Sequence, residues 1–430
     1  MQAGGRISAA IDVLEAVLIR HQPVATALAD WGKAHRFAGS GDRNAIGGLV
    51  YDSLRRKASI SWAMESDTPR TLALGAASSA LAMSPAGVTA ACDGDKHAPA
   101  ALNATEREGL TRSLAGAPDH VRANVPDWLW PSFTEAFGAN AVAEGAAMSL
   151  RAPADIRVNT LKASREKVLK ALASFGAHET KYSPAGVRVP PTIGPARTPN
   201  LQAEAAFQAG WCEIQDEGSQ IAAALSGAAP RKQVLDLCAG GGGKTLAMAA
   251  AMQNTGQIYA FDEDRTRLKP IFERVKRAGV RNVQILRAGD KAALDALGPK
   301  FDVVLVDAPC TGTGTWRRRP DSKWRLKPAA LAERQNQQRE VLALAARHVK
   351  PGGRLVYVTC SVLPQENDAQ VAAFLTNRAD FRPIPVAQVW HEVLPGNPPI
   401  SADGGESQLL LSPAAHGTDG FFIAVLERAG

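Results

Sequence analysis

Apolar residues change their spacing twice along this chain. From the N-terminus to about residue 120 they follow a helical period. Ile7, Ile11, Leu14, Val17 and Leu18 form one amphipathic set, and Ile46, Leu49, Val50 and Leu54 fall at i, i+3, i+4 and i+8 of another. Asp42 is placed to cap the second helix. Arg55, Arg56 and Lys57 close it, where cations suit the carbonyl end; that role explains the basic trio better than RNA contact does. Strand patterns are scarce here, so residues 1–120 read as an all-α domain. Residues 77–100 are rich in Ala, Ser and Gly and are expected to end in a loop.

The second region, residues 121–205, mixes both periods. Pro126 restricts the chain before a helix start at Asp127, and Trp128 and Trp130 read as core. Residues 156–161 read as a strand carrying Arg157 and Asn159. Ser164 then caps a helix whose Val168, Leu172 and Phe175 share a face and which Gly176 ends. With a further strand at 186–189, this is a small α+β module. Five prolines between Pro184 and Pro199 mark a loop or linker. From 206 to 430 apolar runs at 234–237, 258–261, 283–286, 301–306 and 355–358 alternate with helical patterns. That alternation predicts an α/β domain with a doubly wound, mostly parallel sheet. Residues 421–426 supply a late strand, antiparallel at one edge.

Composition narrows the class without naming a chemistry. With 45% hydrophobic and 21% charged residues over 430 positions, the chain is an ordinary globular protein of several domains. A net charge of +7 favours a polyanionic partner only weakly. Cys92, Cys212, Cys238, Cys310 and Cys360 are odd in number and widely spaced, which argues against a disulfide framework and against a zinc site. Free thiols, an N-terminal helix interrupted by Asp12 and Glu15, and no apolar run near the ~18 residues of a membrane span lead us to expect a cytoplasmic monomer with no metal and no membrane contact.

Residues 234–245 read Val-Leu-Asp-Leu-Cys-Ala-Gly-Gly-Gly-Gly-Lys-Thr, a strand, a bare turn and a helix start. Such a unit brings backbone N–H groups close to a nucleotide-like ligand. A P-loop needs a glycine where Cys238 stands, and neither Gly240-x-Gly242 nor Gly241-x-Gly243 reaches the third glycine of a dinucleotide fingerprint. S-adenosylmethionine remains: it carries no phosphate, and its ribose needs an acid at the second strand's end. Asp262 stands there, Asp290 ends the third strand where an adenine amino group is met, and Asp307 ends the fourth.

Cys310, in Asp307-Ala308-Pro309-Cys310, and Cys360, in Thr359-Cys360-Ser361, follow two strands whose tips are neighbours in a parallel sheet. A thiol beside a methyl donor fits methylation at C5 of cytosine, a poor nucleophile until a thiolate adds to C6. The residues alone leave open which cysteine attacks. Residues 315–328 add Arg317, Arg318, Arg319, Lys323, Arg325 and Lys327, interleaved with Trp316 and Trp324. This pattern is expected to contact RNA and to supply positive charge near the thiols. Cys310-x6-Arg317 does not fit the C-x5-R loop of cysteine phosphatases.

At these residues the chain resembles the RNA cytosine-5 methyltransferases, in particular their bacterial ribosomal RNA branch, whose N-terminal helical domain is similar to an antitermination factor. The resemblance covers most of the chain. It includes Arg157-Val158-Asn159-Thr160, residues 215–220, the glycine turn, Asp307–Cys310, Pro320-Asp321-x-x-Trp324, Thr359-Cys360-Ser361, Glu366-Asn367 and Asp419-Gly420-Phe421-Phe422. It implies a Rossmann-like class I methyltransferase domain at 206–430, behind a helical RNA-binding domain at 1–120 and a small α+β RNA-binding module at 121–205. It implies that Cys360 attacks C6 and Cys310 assists release. It implies that Cys238, Ala239, Gly240, Gly241, Gly242, Gly243 and Lys244, with Asp262, Asp290 and Asp307, bind S-adenosylmethionine, and that ribosomal RNA is the partner. In the DNA enzymes the Pro-Cys cysteine attacks, which would point to Cys310. The family's turn usually has Ala-Pro where Gly240-Gly241 stand, which predicts a looser turn here. The rival reading is an RNA-binding assembly factor of the same fold with a weak or inactive site.

Overall fold

In the computed structural model, which describes residues 1–93, 96–196 and 199–430, the N-terminal part is a bundle of helices. Helix Ala3–Leu18 buries Ile7, Leu14 and Val17 against Ile46, Leu49, Val50 and Leu54 of helix Ser40–Arg55 and against Leu72 and Leu74 of helix Pro69–Ala80. The 3.6-residue period puts these side chains on one face, and burying each is worth about 1.5–3 kcal/mol. Asp42 does not cap its helix, which starts earlier, behind Gly39; its carboxylate lies in the first turn and accepts from Arg6 Nε at 2.9 Å. The stretch 77–100 contains a further helix, Pro85–Ala91, begun by Ser84 Oγ accepting the Gly87 N–H at 3.1 Å. Its expected closing loop falls partly on 94–95, outside the described residues.

Strands β1 (Ala154–Val158), β2 (His178–Glu179), β3 (Gly186–Val189) and β4 (Cys212–Ile214) form an antiparallel sheet in the order β2-β3-β1-β4. Helix Arg165–Ala171, capped by Ser164 Oγ at 3.2 Å from the Lys167 nitrogen, contributes Val168 to a core with Ile156, Val158 and Val187. The proline-rich stretch contains β3, and its residues 197–198 lie outside the described residues. Because β4 comes after position 205, the chain returns to the small sheet before it enters the large one.

The large sheet has eight strands: β5 (Gln233–Asp236), β6 (Gln257–Ala260), β7 (Val283–Ile285), β8 (Phe301–Asp307), β9 (Val349–Thr359), β10 (Phe381–Ile384), β11 (Leu409–Leu411) and β12 (Phe421–Arg428). Their order is β10-β12-β9-β8-β5-β6-β7, with β11 on β12; β5 to β9 are parallel and the last three antiparallel. The run 421–426 is antiparallel as expected but not at the edge, since β12 lies between β9 and β10. Its unbroken Phe-Phe-Ile-Ala-Val-Leu suits a strand covered on both faces.

The basic segment 315–328 is mostly a seam between domains, not an open RNA surface. Trp316 is fully buried and stacks on Phe133, with ring centroids 5.5 Å apart. Arg317 and Arg318 pair with Asp419 and Asp216. Trp324 Nε1 donates to the Leu54 carbonyl at 2.6 Å, and Arg55 Nε to the Arg317 carbonyl at 3.0 Å, so both sides of the helical bundle contact are used. Lys323, 1% exposed, donates to the Arg55 and Asn124 carbonyls at 3.2 and 2.9 Å and to Ser149 Oγ at 3.2 Å. A cation needs desolvated acceptors as much as a phosphate does, so charge and tryptophan together mark a joint as readily as a nucleic-acid surface. Arg319, Arg325 and Lys327 are the members left exposed.

Burial pushes the Lys323 ammonium down from 10.5 to about 7. Between those values the unfolded chain binds the proton and the folded chain does not, so stability rises with pH across that window. Relative to Lys323→Met, the wild-type chain is expected to gain up to about 1.4 kcal/mol per pH unit there. Urea unfolding near pH 7 and near pH 9.5 checks this; parallel pH slopes for the two chains would contradict it.

Candidate active site

β5 ends at Asp236, and the chain turns through Leu237, Cys238, Ala239 and the glycines into helix Gly243–Ala251. β6 and β8 flank β5 on opposite sides, so the crevice at the carboxyl ends of an open parallel sheet lies here. Gly240 at φ +50° and Gly242 at φ +80° are left-handed, and a Cβ on Gly242 would lie 2.4 Å from Ile271 Cγ1. Only glycine fits that second position. The turn expected to be loose is tied down by its neighbours. The Gly240 N–H donates to Asp262 Oδ2 at 2.9 Å, the Gly242 N–H to the Ala239 carbonyl at 2.8 Å, and Arg274 Nη1 to the Gly241 carbonyl at 2.7 Å.

A cavity of about 440 Å³ opens against this turn. Cys238, Ala239, Gly240, Gly241, Gly243 and Lys244 form one side; Asp236, Asp307, Arg267, Arg274, Gln215 and Ser219 complete its walls. Asp307 Oδ2 accepts from Lys244 Nζ at 2.6 Å, and that ammonium lies 5.3 Å from the centre of the Phe421 ring. Gly242, Asp262 and Asp290 are not among the walls. Asp262 is buried behind the turn, its second oxygen accepting the Asp264 N–H at 2.9 Å. Asp290 caps helix Lys291–Asp295 by accepting the Ala293 N–H at 3.0 Å. Sequence reasoning missed Asp236, which interrupts the apolar run 234–237 where Asp262 follows one. Its Oδ2 accepts from Thr245 Oγ1 at 2.6 Å, and burial pushes the carboxyl up from 3.8 to about 7.

The cysteines meet at the other end of Asp307's loop. Asp307 on β8 lies opposite Val358 on β9, and the parallel strands deliver their following loops side by side. Cys310 Sγ is 3.4 Å from Cys360 Sγ. That contact, and next to it burial, holds the Cys310 thiol well above its ordinary value of 9.0. Positive charge from residues 315–328 was expected beside the thiols; Arg317 and Arg318 are instead engaged by Asp216 and Asp419. What surrounds the cysteines is a carboxylate. Glu366 is fully buried and accepts from the Thr311 N–H at 2.8 Å, from Thr311 Oγ1, from Ser361 Oγ and from Gln338 Nε2 at 3.0 Å. Gln338 Nε2 also donates to the Pro309 carbonyl at 2.9 Å. Asn367 continues the network, with Nδ2 donating to the Ser361 carbonyl at 3.0 Å and Oδ1 accepting from Thr359 Oγ1 at 2.6 Å. Gln338 was not anticipated; its signal is a polar residue on the face of helix Pro328–Ala346 that carries Leu331, Leu342 and Ala345.

Among the described residues all five cysteines are free thiols, no group of His, Cys, Asp and Glu could hold a metal ion, and no helix is long and apolar enough to cross a membrane. The arrangement sets two thiols on the loop that follows Asp307 and the loop beside it, and Asp307 is a wall of a cavity whose lining carries both signs of charge.

Comparison with known proteins gives the chain's family likeness. Residues 224–427 match the family described as 16S rRNA methyltransferase RsmB/F, and residues 125–192 match the ferredoxin-like domain of RsmF/B-like methyltransferases. A probable ribosomal RNA small subunit methyltransferase B from Synechocystis is 35% identical over 71% of this chain and 67% of its own length. Its counterpart from Bacillus subtilis is 33% identical over 76% and 73%. The solved structure of a methyltransferase homolog protein from Pyrococcus horikoshii superposes with a TM-score of 0.59 at 28% identity, over 74% of this chain and 100% of that one.

Removing the Glu366 carboxylate would strand the buried donors of Thr311, Ser361 and Gln338. Glu366→Ala is expected to cost roughly 2–4 kcal/mol and to speed reaction of Cys310 and Cys360 with an aromatic disulfide. An unchanged urea midpoint together with unchanged thiol reactivity would show that the carboxylate does not hold the two loops.

Proposed function

We infer the reaction from one premise: the chain belongs to the 16S rRNA methyltransferase RsmB/F family. It is an S-adenosylmethionine-dependent rRNA methyltransferase. The finer reading is transfer to C5 of a cytosine in small-subunit ribosomal RNA, through a covalent bond from Cys360 to C6. The observation that carries it is the 3.4 Å contact between Cys310 and Cys360, reached through the loop of a cavity-wall aspartate.

The cavity fits S-adenosylmethionine by its chemistry. The turn is bare of side chains, Arg267 offers donors to a carboxylate, and Asp307 and Asp236 offer acceptors to an ammonium. Asp236 Oδ1 is buried without a protein partner, an acceptor that a ligand donor satisfies. Asp262 stands behind the turn, outside the cavity wall, and is kept for the ribose hydroxyls on the family resemblance. Asp290 is retained for the adenine amino group on the family resemblance. When bound, S-adenosylmethionine supplies an electrophilic methyl group on a sulfonium.

The protein's own part is as follows. The Cys310 thiol keeps its proton beside Cys360 Sγ, 3.4 Å away; Cys360 attacks as the thiolate, its proton passed to solvent. Cys360 Sγ bonds to C6, and the C5=C6 electron pair becomes available at C5. Asp307, positioned by Lys244, meets the polar edge of the cytosine. Once the Cys360 sulfur is bonded to carbon, the Cys310 thiol releases its own proton to solvent and, as a thiolate, acts as the base. It takes the C5 proton, the C5=C6 bond re-forms and the Cys360–C6 bond breaks, regenerating the thiolate. The exposed Arg319, Arg325 and Lys327, with the helical bundle and the small sheet, hold the RNA.

Cys360→Ala is expected to abolish transfer, and full turnover would overturn the assignment. Cys310→Ala is expected to accumulate a protein–RNA adduct that survives a denaturing gel, since attack proceeds and release stalls; free protein alone would count against the division of labour. Asp262→Ala is expected to weaken S-adenosylmethionine binding at least tenfold, a shift of about 1.4 kcal/mol, by calorimetry.

A further inference from the structure

Glu213 lies on β4 of the small sheet, 2% exposed, yet its partners belong to the large domain. Its Oε1 accepts from Arg277 Nη2 at 2.6 Å, and its Oε2 accepts from Arg274 Nη2 at 3.0 Å and Arg274 Nε at 3.2 Å. Both arginines stand on helix Ile271–Ala278. The remaining nitrogen of Arg274, Nη1, is the one that donates to the Gly241 carbonyl at 2.7 Å. A single guanidinium therefore joins the small sheet to the middle of the glycine turn. The fit is close, for a Cβ on Gly241 would lie 3.1 Å from that nitrogen.

Two further sets of contacts make this joint more than one ion pair. The end of the same helix is held by the small module, with Asn159 Nδ2 donating to the Ala278 carbonyl at 2.8 Å and Lys162 Nζ to the Arg277 carbonyl at 2.6 Å. Gln215, just past β4, is a wall of the cavity and accepts from Arg157 Nε of β1 at 2.6 Å. A turn of four glycines has little stiffness of its own, so its shape is set by whatever grips its polar atoms. The planar fork of an arginine can hold a carboxylate with one edge and a carbonyl with another nitrogen, which a lysine cannot reproduce.

We propose that Arg274, oriented by Glu213, is a positioning residue for S-adenosylmethionine: it fixes the Gly241 carbonyl, so that docking of the small module sets the shape and affinity of the cofactor turn. This rests on the reading that the glycine turn binds S-adenosylmethionine. The module is thereby a part of the cofactor site as well as a holder of RNA, and the two binding events are coupled.

The test uses the full-length chain with Arg274→Met, Arg274→Lys and the isosteric Glu213→Gln. Three quantities are read: the Kd for S-adenosylmethionine without RNA, KM against kcat, and hydrogen exchange of the amides at 240–244 without cofactor. Arg274→Met is expected to raise Kd and KM about tenfold or more, to leave kcat at saturation within about twofold, and to speed exchange at 240–244 while β8 and β9 stay protected. Arg274→Lys is expected to recover part of the affinity, and Glu213→Gln to fall between it and wild type. Wild-type Kd and wild-type exchange of the turn in folded Arg274→Met would overturn the proposal, as would faster exchange spread evenly over the domain. If the wild-type chain fails to bind S-adenosylmethionine, the cofactor reading falls, whereas local loosening of 240–244 in Arg274→Met still upholds the brace.

Discussion

The register of β8 against β9 is the constraint on which the site depends. Asp307 opposite Val358 leaves Cys310 and Cys360 in contact; a slip of one residue, about 3.3 Å, separates them and turns the side chains over. Hydrophobicity alone does not specify that register, because the paired stretches 303–306 and 355–358 are buried on both faces and read as continuous apolar runs. The specification comes from polar ties at the tips. Glu366 binds both loops, Thr313 Oγ1 meets Ser361 Oγ at 3.0 Å, and the Gly314 N–H donates to the Cys360 carbonyl at 3.0 Å. Gly314 also packs on Gly420 so closely that a Cβ there would lie 2.2 Å from the Gly420 carbonyl oxygen, which locks β12 to the same corner.

The parallel order of the strands, the glycine turn and the aspartates at strand ends were legible because each leaves a local mark: an apolar run, a loss of side chains, an acid at a boundary. The cysteine pairing was legible only as adjacency of two strand tips. Glu366 entered through family resemblance without a role, and Gln338 and Glu213 did not enter at all. Their function is defined by partners about 28 and 61 positions away, and nothing in the local pattern distinguishes them from surface polar residues. The interior place of β12 was likewise set by β10, a short strand whose Arg382 and Pro383 hide it from any apolar count.

The basic segment shows why charge is a poor guide to partners. Its residues carry the composition of a nucleic-acid surface, yet Arg317, Arg318 and Lys323 are spent inside the protein, on Asp216, Asp419 and backbone carbonyls. Sequence counts a cation the same whether its acceptor is a phosphate or a carbonyl 199 residues off. Burial decides, and burial is a tertiary property. The same seam explains the domain arrangement: the helical bundle contacts the large domain through hydrogen bonds to helix ends, at Leu54 and Arg55, where carbonyls lack partners within the helix.

Two parts of the site are held in opposite ways. The cysteine loops are pinned from within the large domain, by a buried carboxylate whose donors lie in the loops after β8 and β9 and on helix Pro328–Ala346. The glycine turn is pinned partly from outside, through a side chain that the small sheet orients. A nucleophile must stay in one place whatever is bound, because displacement by an ångström costs more rate than binding can restore. A cofactor turn tolerates adjustment, and an enzyme that must exchange its cofactor on every turnover benefits from a grip that can slacken. On the proposed reading the sulfur pair is held within one domain and the cofactor turn across two, so loss of the Arg274 bridge reaches the turn and leaves the cysteine loops in place.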